Sequence, residues 1–86
     1  MLTPREKERI IKKYKLREDD TGSSEVQVAL FTEEIKRLTK HLKTHAKDHS
    51  SRRGLLKMVA KRKRLLQYLE DTSIRRYNKL MKTLKL

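Results

Sequence analysis

Lys57, Lys61, Arg64 and Tyr68 carry the clearest chemical signal in this chain. On a helix, at about 100° per residue, they fall within about 60° of one another. Leu55, Val59, Leu66 and Leu69 fall on the opposite side. An aromatic ring among cations, facing away from the apolar side, suits a polyanion with flat bases: the cations neutralise phosphate and the ring stacks. The plainer alternative is a solvated basic face on which Tyr68 lies flat or is covered by the first helix. The local charge excess described below favours nucleic acid.

A second set lies upstream. Gln27, Glu34 and His41 are seven residues apart and so line one flank of a helix, with Gln27 and His41 about 21 Å apart along its axis. If both meet a ligand, they meet it at two places. Helix capping alone for Gln27 and an ordinary surface position for His41 remain open at this point. Ser51, Arg52 and Arg53 gather a hydroxyl, two guanidinium groups and free backbone N–H groups near a helix start, a good phosphate or sugar site. Thr21-Gly22 can bring backbone close to a ligand, and Gly54 can admit a backbone or another helix. His41, His45 and His49 beside Asp48 raise a metal question, but His45 fits the apolar seam and the chain must break before His49. No metal is expected. There is no phosphate-cradling glycine loop and no nucleophile–base–orienter set, so the chain reads as no enzyme and needs no cofactor.

The elements that must position these residues are all helical: four helices, with an antiparallel three-helix core over about 24–46, 50–71 and 74–85, and a loosely docked N-terminal helix over about 4–16. Thr3-Pro4-Arg5-Glu6 is a helix start, with Thr3 as N-cap, Pro4 in the first position and Glu6 closing a capping box. Ile10, Ile11 and Tyr14 form that helix's apolar edge. Ser24 and Gln27 match a second capping box, opening a helix whose seam is Val28, Phe31, Ile35, Leu38, Leu42 and His45. Asp48 or Ser50 caps the third helix, and Asp71-Thr72-Ser73 caps the fourth, which is expected to bury Ile74, Tyr77, Met81 and Leu84.

At 86 residues, with 35% hydrophobic and 41% charged residues and no cysteine, residues 1–86 read as one small domain with a thin core and no disulfide or thiolate reinforcement. The charge is concentrated. Residues 1–30 hold seven Lys/Arg against six Asp/Glu, whereas residues 36–64 hold twelve against Asp48 alone. Such self-repulsion opposes folding, so an anionic partner should stabilise the chain as well as bind it. No apolar run is long enough for a membrane span or a signal-peptide core, and a cytoplasmic location is expected. A membrane-surface helix would pair its cations with an exposed apolar face, yet here the apolar stripe is needed for the core.

Two blocks carry a resemblance: DTGSSEVQVALFT at Asp20 to Thr32, and HLKTHAKDHSSRRGLLKMVAKRKRLLQYL at His41 to Leu69. Together they resemble the bacterial family of small ribosomal subunit protein fifteen, over essentially the whole chain. The resemblance implies a structural constituent of the small ribosomal subunit that binds the central domain of its rRNA early in assembly, monomeric when free. Thr21, Gly22, Gln27, Arg64 and Tyr68 match family positions that bind a three-way helical junction. His41, Asp48 and Ser51 match a second site on the minor groove of a duplex with a G·U/G·C pair. Arg52, Arg53, Lys57 and Lys61 are left to hold RNA backbone. The resemblance also places the turn after the second helix near large-subunit rRNA at the subunit interface. The sequence departs from the family pattern at Ser24, Ser50, Ala60 and Lys63, and Glu34 and Asp71 are acidic where relatives can be basic. RNA contact is not carried over to Ser50, Glu34 or Asp71.

Overall fold

The computed structural model describes residues 2–17 and 22–86. Their helices are α1 (Pro4–Tyr14), α2 (Ser24–Thr44), α3 (His49–Thr72) and α4 (Ile74–Leu84). No strand occurs among the described residues. At 1.5 Å per residue α3 is about 36 Å long. It therefore spans nearly the whole of the 40 Å long axis and serves as the bundle's spine.

Local chemistry sets the ends. Thr3 and Glu6 form the reciprocal capping box, with Pro4 in the first turn. Asp48 caps α3. Ser73 alone makes the corner between α3 and α4: its N–H closes α3 on the Leu69 carbonyl at 2.8 Å, while its hydroxyl accepts from the Arg76 N–H at 3.3 Å. From that corner α4 folds back so that Leu80 packs with Leu69. α1 ends at Tyr14, two residues before the expected stop, because Lys15 turns extended.

Two neighbouring serines compete to cap α2, and Ser23 takes the role in place of Ser24. Its hydroxyl accepts from the Val26 N–H at 3.3 Å. Gln27 is then not the partner of a capping box. Its amide reaches back to donate to the Gly22 carbonyl at 2.7 Å and ties down the turn before the helix.

The core is a junction of three helices. Val28 of α2, Leu69 of α3 and Leu80 of α4 are buried together, packed by Tyr14, Leu65, Leu66, Tyr77 and Leu84. Each such side chain contributes about 1.5–3 kcal/mol through removal from water. Cross-links fix the directions. Arg62 of α3 donates to the buried Thr32 hydroxyl of α2, and His41 meets Asp48, so α2 and α3 are antiparallel. α1 lies against α2 through the Glu6–Arg37 ion pair, with no fully buried residue of its own. That is the thin docking its sparse apolar edge implies.

Three expected core residues are not in the core. His45 follows the last helical residue of α2, so the periodic pattern no longer governs it, and it is exposed. Ile74 starts α4 before that helix reaches the core and is 55% exposed; Leu80 is the residue α4 buries instead. Val59 lies beyond the cover of its neighbours and is also exposed.

One ion pair belongs to the fold. The Glu25 carboxylate is buried and receives two hydrogen bonds from Arg76, at 2.7 and 2.6 Å, joining α2 to α4. Loss of one partner strands a buried charge. Because the Arg76 side chain is 43% exposed and screened by solvent, Arg76→Ala should cost about 1–3 kcal/mol rather than the full penalty of a buried pair. A chemical denaturation series measures this. Glu25→Gln with Arg76→Ala should recover part of the loss.

Candidate nucleic-acid interface

Asp48 organises one end of the α2–α3 pair. As N-cap of α3 it accepts the Ser51 N–H on Oδ1 at 3.0 Å. Its Oδ2 accepts the Ser51 hydroxyl at 2.7 Å and lies 2.8 Å from His41 Nε2, which crosses from α2. The backbone N–H of Ser51 is the strongest influence holding the Asp48 carboxyl well below the usual carboxylate range, followed by the Ser51 hydroxyl and then His41. Asp48 therefore stays ionised at any pH where the chain functions. His41 is held on its other side by a stacked His45, ring centroids 4.4 Å apart and planes within 9°.

These bonds decide what remains to offer a ligand. A carboxylate only accepts, so His41 Nε2 carries the proton facing it. Ser51 spends its hydroxyl proton on Asp48, leaving its oxygen lone pairs. Asp48 uses three of its roughly four acceptor positions internally. The cluster thus presents acceptors, held in place by one another. They border a shallow cleft of about 310 Å³ shared with Glu34, Arg37, Leu38 and Met58.

The opposite end is cationic. Arg64 is exposed on α3, with exposed Lys57 and Lys61 between the two ends, and Tyr68 is 60% exposed, free of the core and uncovered by α1. The antiparallel register brings Gln27 to the level of Tyr68, and His41 to the level of Ser51. The two groups are therefore separated along the bundle by about the 21 Å of α2 between Gln27 and His41. Gln27 keeps its side-chain carbonyl free after its amide binds Gly22. Thr21, the remaining member of that group, lies outside the described residues.

At the α3 start, Arg53 is exposed, whereas Arg52 donates one N–H to the Ala46 carbonyl at 2.7 Å and braces the turn. Its other donors remain for an anion. A Cβ at Gly54 would meet no atom within 4 Å, so no other helix approaches there; the same is true at Gly22. Among the described residues no group of three or more His, Cys, Asp or Glu side chains is placed to hold a metal ion. No helix is long and apolar enough to cross a membrane among them. Arg62, bonded to Thr32, is a cation of the charge-rich stretch that faces inward. The helical wheel would have found it, since it falls on the Leu55–Leu69 side.

A small basic all-helical protein with a polar cluster and a cationic aromatic face separated along one helix pair has clear relatives. The family described as ribosomal protein S15 matches residues 7–86. The small ribosomal subunit protein uS15 of Natranaerobius thermophilus is 58% identical over 85 residues, covering 99% of this chain and 96% of its own length. Its counterpart in Dictyoglomus thermophilum is 56% identical over 85 residues, with the same coverage. That of Desulforudis audaxviator is 59% identical over 85 residues, again with 99% and 96% covered. The chain belongs to the ribosomal protein S15 family, a structural, non-enzymatic family.

Proposed function

We propose that this chain is a structural component of the small ribosomal subunit and a primary binder of the central domain of its rRNA. One end recognises a three-way junction and the other a G·U/G·C minor groove. The observation that carries this proposal is the His41–Asp48–Ser51 network, an acceptor-rich cluster held together by its own hydrogen bonds. The wide minor groove of A-form RNA displays donors that such a cluster takes, namely 2′-hydroxyls and the exocyclic amino group of guanine. A carboxylate there also repels phosphate, so the cluster selects base edges over backbone.

At the junction end, Tyr68 packs on a base or ribose and Arg64 neutralises phosphate, beside the Thr21–Gly22 turn and Gln27. Arg52, Arg53, Lys57 and Lys61 hold the backbone between the two ends. Residues 1–86 act as one domain, monomeric when free, in the cytoplasmic ribosome. The exposed turn around His45 and Lys47 lies toward large-subunit rRNA. Binding both ends at a fixed separation favours one arrangement of the junction, a population shift driven by contacts that only the assembled junction offers.

A filter-binding series with the isolated junction RNA tests this, and equal affinity for a random duplex of the same length would refute it. Arg64→Gln should flatten the plot of log affinity against log salt by about 0.7–0.9, the contribution of one phosphate. An unchanged slope would remove Arg64 from the backbone contacts.

A further inference from the structure

A second basic cleft meets the interface just described at Arg37, which borders both, and opens on the other side of α2. α1, α2 and the end of α4 enclose an open cleft of about 450 Å³ whose cations are Arg9, Lys13, Lys36, Arg37 and Lys85. Its two carboxylates, Glu6 and Glu33, both turn to the single guanidinium of Arg37. Arg9, Lys13, Lys36 and Lys85 have no ion pair among the described residues, so the cleft holds uncompensated positive charge. Lys13 instead lies over the Tyr14 ring, 5.5 Å from its centroid.

Lys85 adds an independent observation. It ends α4 in the left-handed region, with φ 58° and ψ 40°, the conformation in which helices commonly place glycine. It is the non-glycine residue with positive φ among those described. This left-handed cap, closed by the Lys85 and Leu86 N–H groups on the Met81 carbonyl, sets Lys85 at the rim of the cleft.

We infer that this cleft seats the phosphodiester backbone of an RNA segment separate from the one met by the α2–α3 interface. Two residues along a helix are about 160° apart around it, so Lys36 faces nearly opposite to Glu34 and the Gln27–His41 flank. One duplex cannot lie on both. Arg9 and Lys13 stand one turn apart, about 6 Å along α1, a spacing on the scale of neighbouring phosphates in a strand. A protein partner would need apolar or aromatic anchors at the centre of its contact. The apolar lining of the cleft, Ile10, Tyr14 and Leu84, is half-buried, with Tyr14 and Leu84 packed against the core cluster rather than raised as anchors. The exposed large apolar residues Leu16, Leu56, Val59, Tyr68, Ile74 and Leu86 lie outside it. The inference rests on the rRNA-binding proposal and extends it to a third contact.

The test compares the parent chain with a Lys13→Gln, Lys36→Gln, Lys85→Gly variant, binding a minimal junction RNA and the full small-subunit rRNA across a salt series. Glycine relieves the strain at position 85, and an unchanged thermal melt confirms folding. The variant should match the parent on the minimal junction. On full rRNA it should bind about tenfold more weakly at moderate salt, with a slope shallower by about 2 to 3. Equal behaviour of variant and parent on both RNAs overturns the inference, and so does an equal loss on both, because the cleft would then contact the junction itself. Polyglutamate that binds the parent but not the variant, with RNA affinity unaltered, overturns it in favour of an acidic protein. A parent chain with no preference for the junction over a random duplex refutes the rRNA proposal instead. The chain has no cysteine, so Lys36→Cys carries a single photoreactive probe. Crosslinks should fall on rRNA outside the junction, and crosslinks confined to junction strands would overturn the assignment.

Discussion

Asp48→Asn should reduce binding to a duplex carrying the minor-groove site about 10- to 100-fold, the scale of losing one or more base-edge contacts. Asparagine caps helices as well as aspartate does, so α3 should still start at the same place. The loss comes from hydrogen-bond polarity. With the Ser51 N–H still held by the amide oxygen, the amide NH₂ replaces Oδ2 and confronts the Ser51 hydroxyl and His41 Nε2, both of which donate to Oδ2 in the native cluster. Both ring and hydroxyl must then turn an acceptor toward the amide, and those acceptors no longer face outward. The salt dependence should stay nearly parallel to the parent's, because Asp48 neutralises no phosphate. A slope change as large as that of Arg64→Gln would show that the substitution had disturbed the backbone contacts instead.

The same carboxylate gives a pH signature whose sign is fixed. Its folded pKa lies below the ordinary value of 3.8. Its contribution to stability is therefore fully present above the unfolded pKa. It is lost as pH falls below about 4 toward the folded value. A urea series from pH 6 to about pH 2 should show the parent losing its advantage over Asp48→Asn only in the acid limb. An advantage that persisted undiminished through pH 3 and below would separate Asp48 charge from stability.

What was legible in the sequence follows the reach of each interaction. The Thr3–Glu6 box is made within three residues, so residue type and spacing suffice to find it. They narrow the next two caps to Asp48 or Ser50 and to Asp71-Thr72-Ser73, and the backbone path selects Asp48 and Ser73. Ser23 and Ser24 are equally good caps by type, and only the backbone path chooses between them. His45 fits the seam on a wheel because the wheel assumes a helix that has already ended. Ile74 fits likewise, although the helix that carries it has not yet reached the core. The His41–Asp48–Ser51 triad needed the return of the chain at the α2–α3 corner to become one cluster. Family resemblance supplied those residues before geometry did. The Arg9–Lys13–Lys36–Lys85 cleft was invisible for a related reason: its charges come from three helices, and no periodicity in one segment relates them.

Adjacent residues Tyr68 and Leu69 should give opposite results, and the pair is the sharpest check on the functional face of α3. Leu69 is 1% exposed at the centre of the cluster with Val28 and Leu80. Leu69→Ala should cost about 2–5 kcal/mol, from lost transfer energy and the cavity left behind. For a domain of this size that is a large share of total stability, so a thermal scan should show a strongly lowered or absent transition. Tyr68, 60% exposed, has its side chain outside that cluster. Tyr68→Ala should leave the melt within a few degrees of the parent and weaken junction binding by about 10- to 100-fold, the range for removing an aromatic that stacks on a base. Tyr68→Phe should recover most of that loss if the ring is what matters, because stacking does not use the hydroxyl. A large fall in melting temperature for Tyr68→Ala would place the ring in the core. Unaltered junction affinity in a folded Tyr68→Ala variant would leave the face to its cations alone. The helical period then explains the outcome: one step of about 100° along α3 carries the side chain from the sealed centre of the bundle to the surface proposed for RNA.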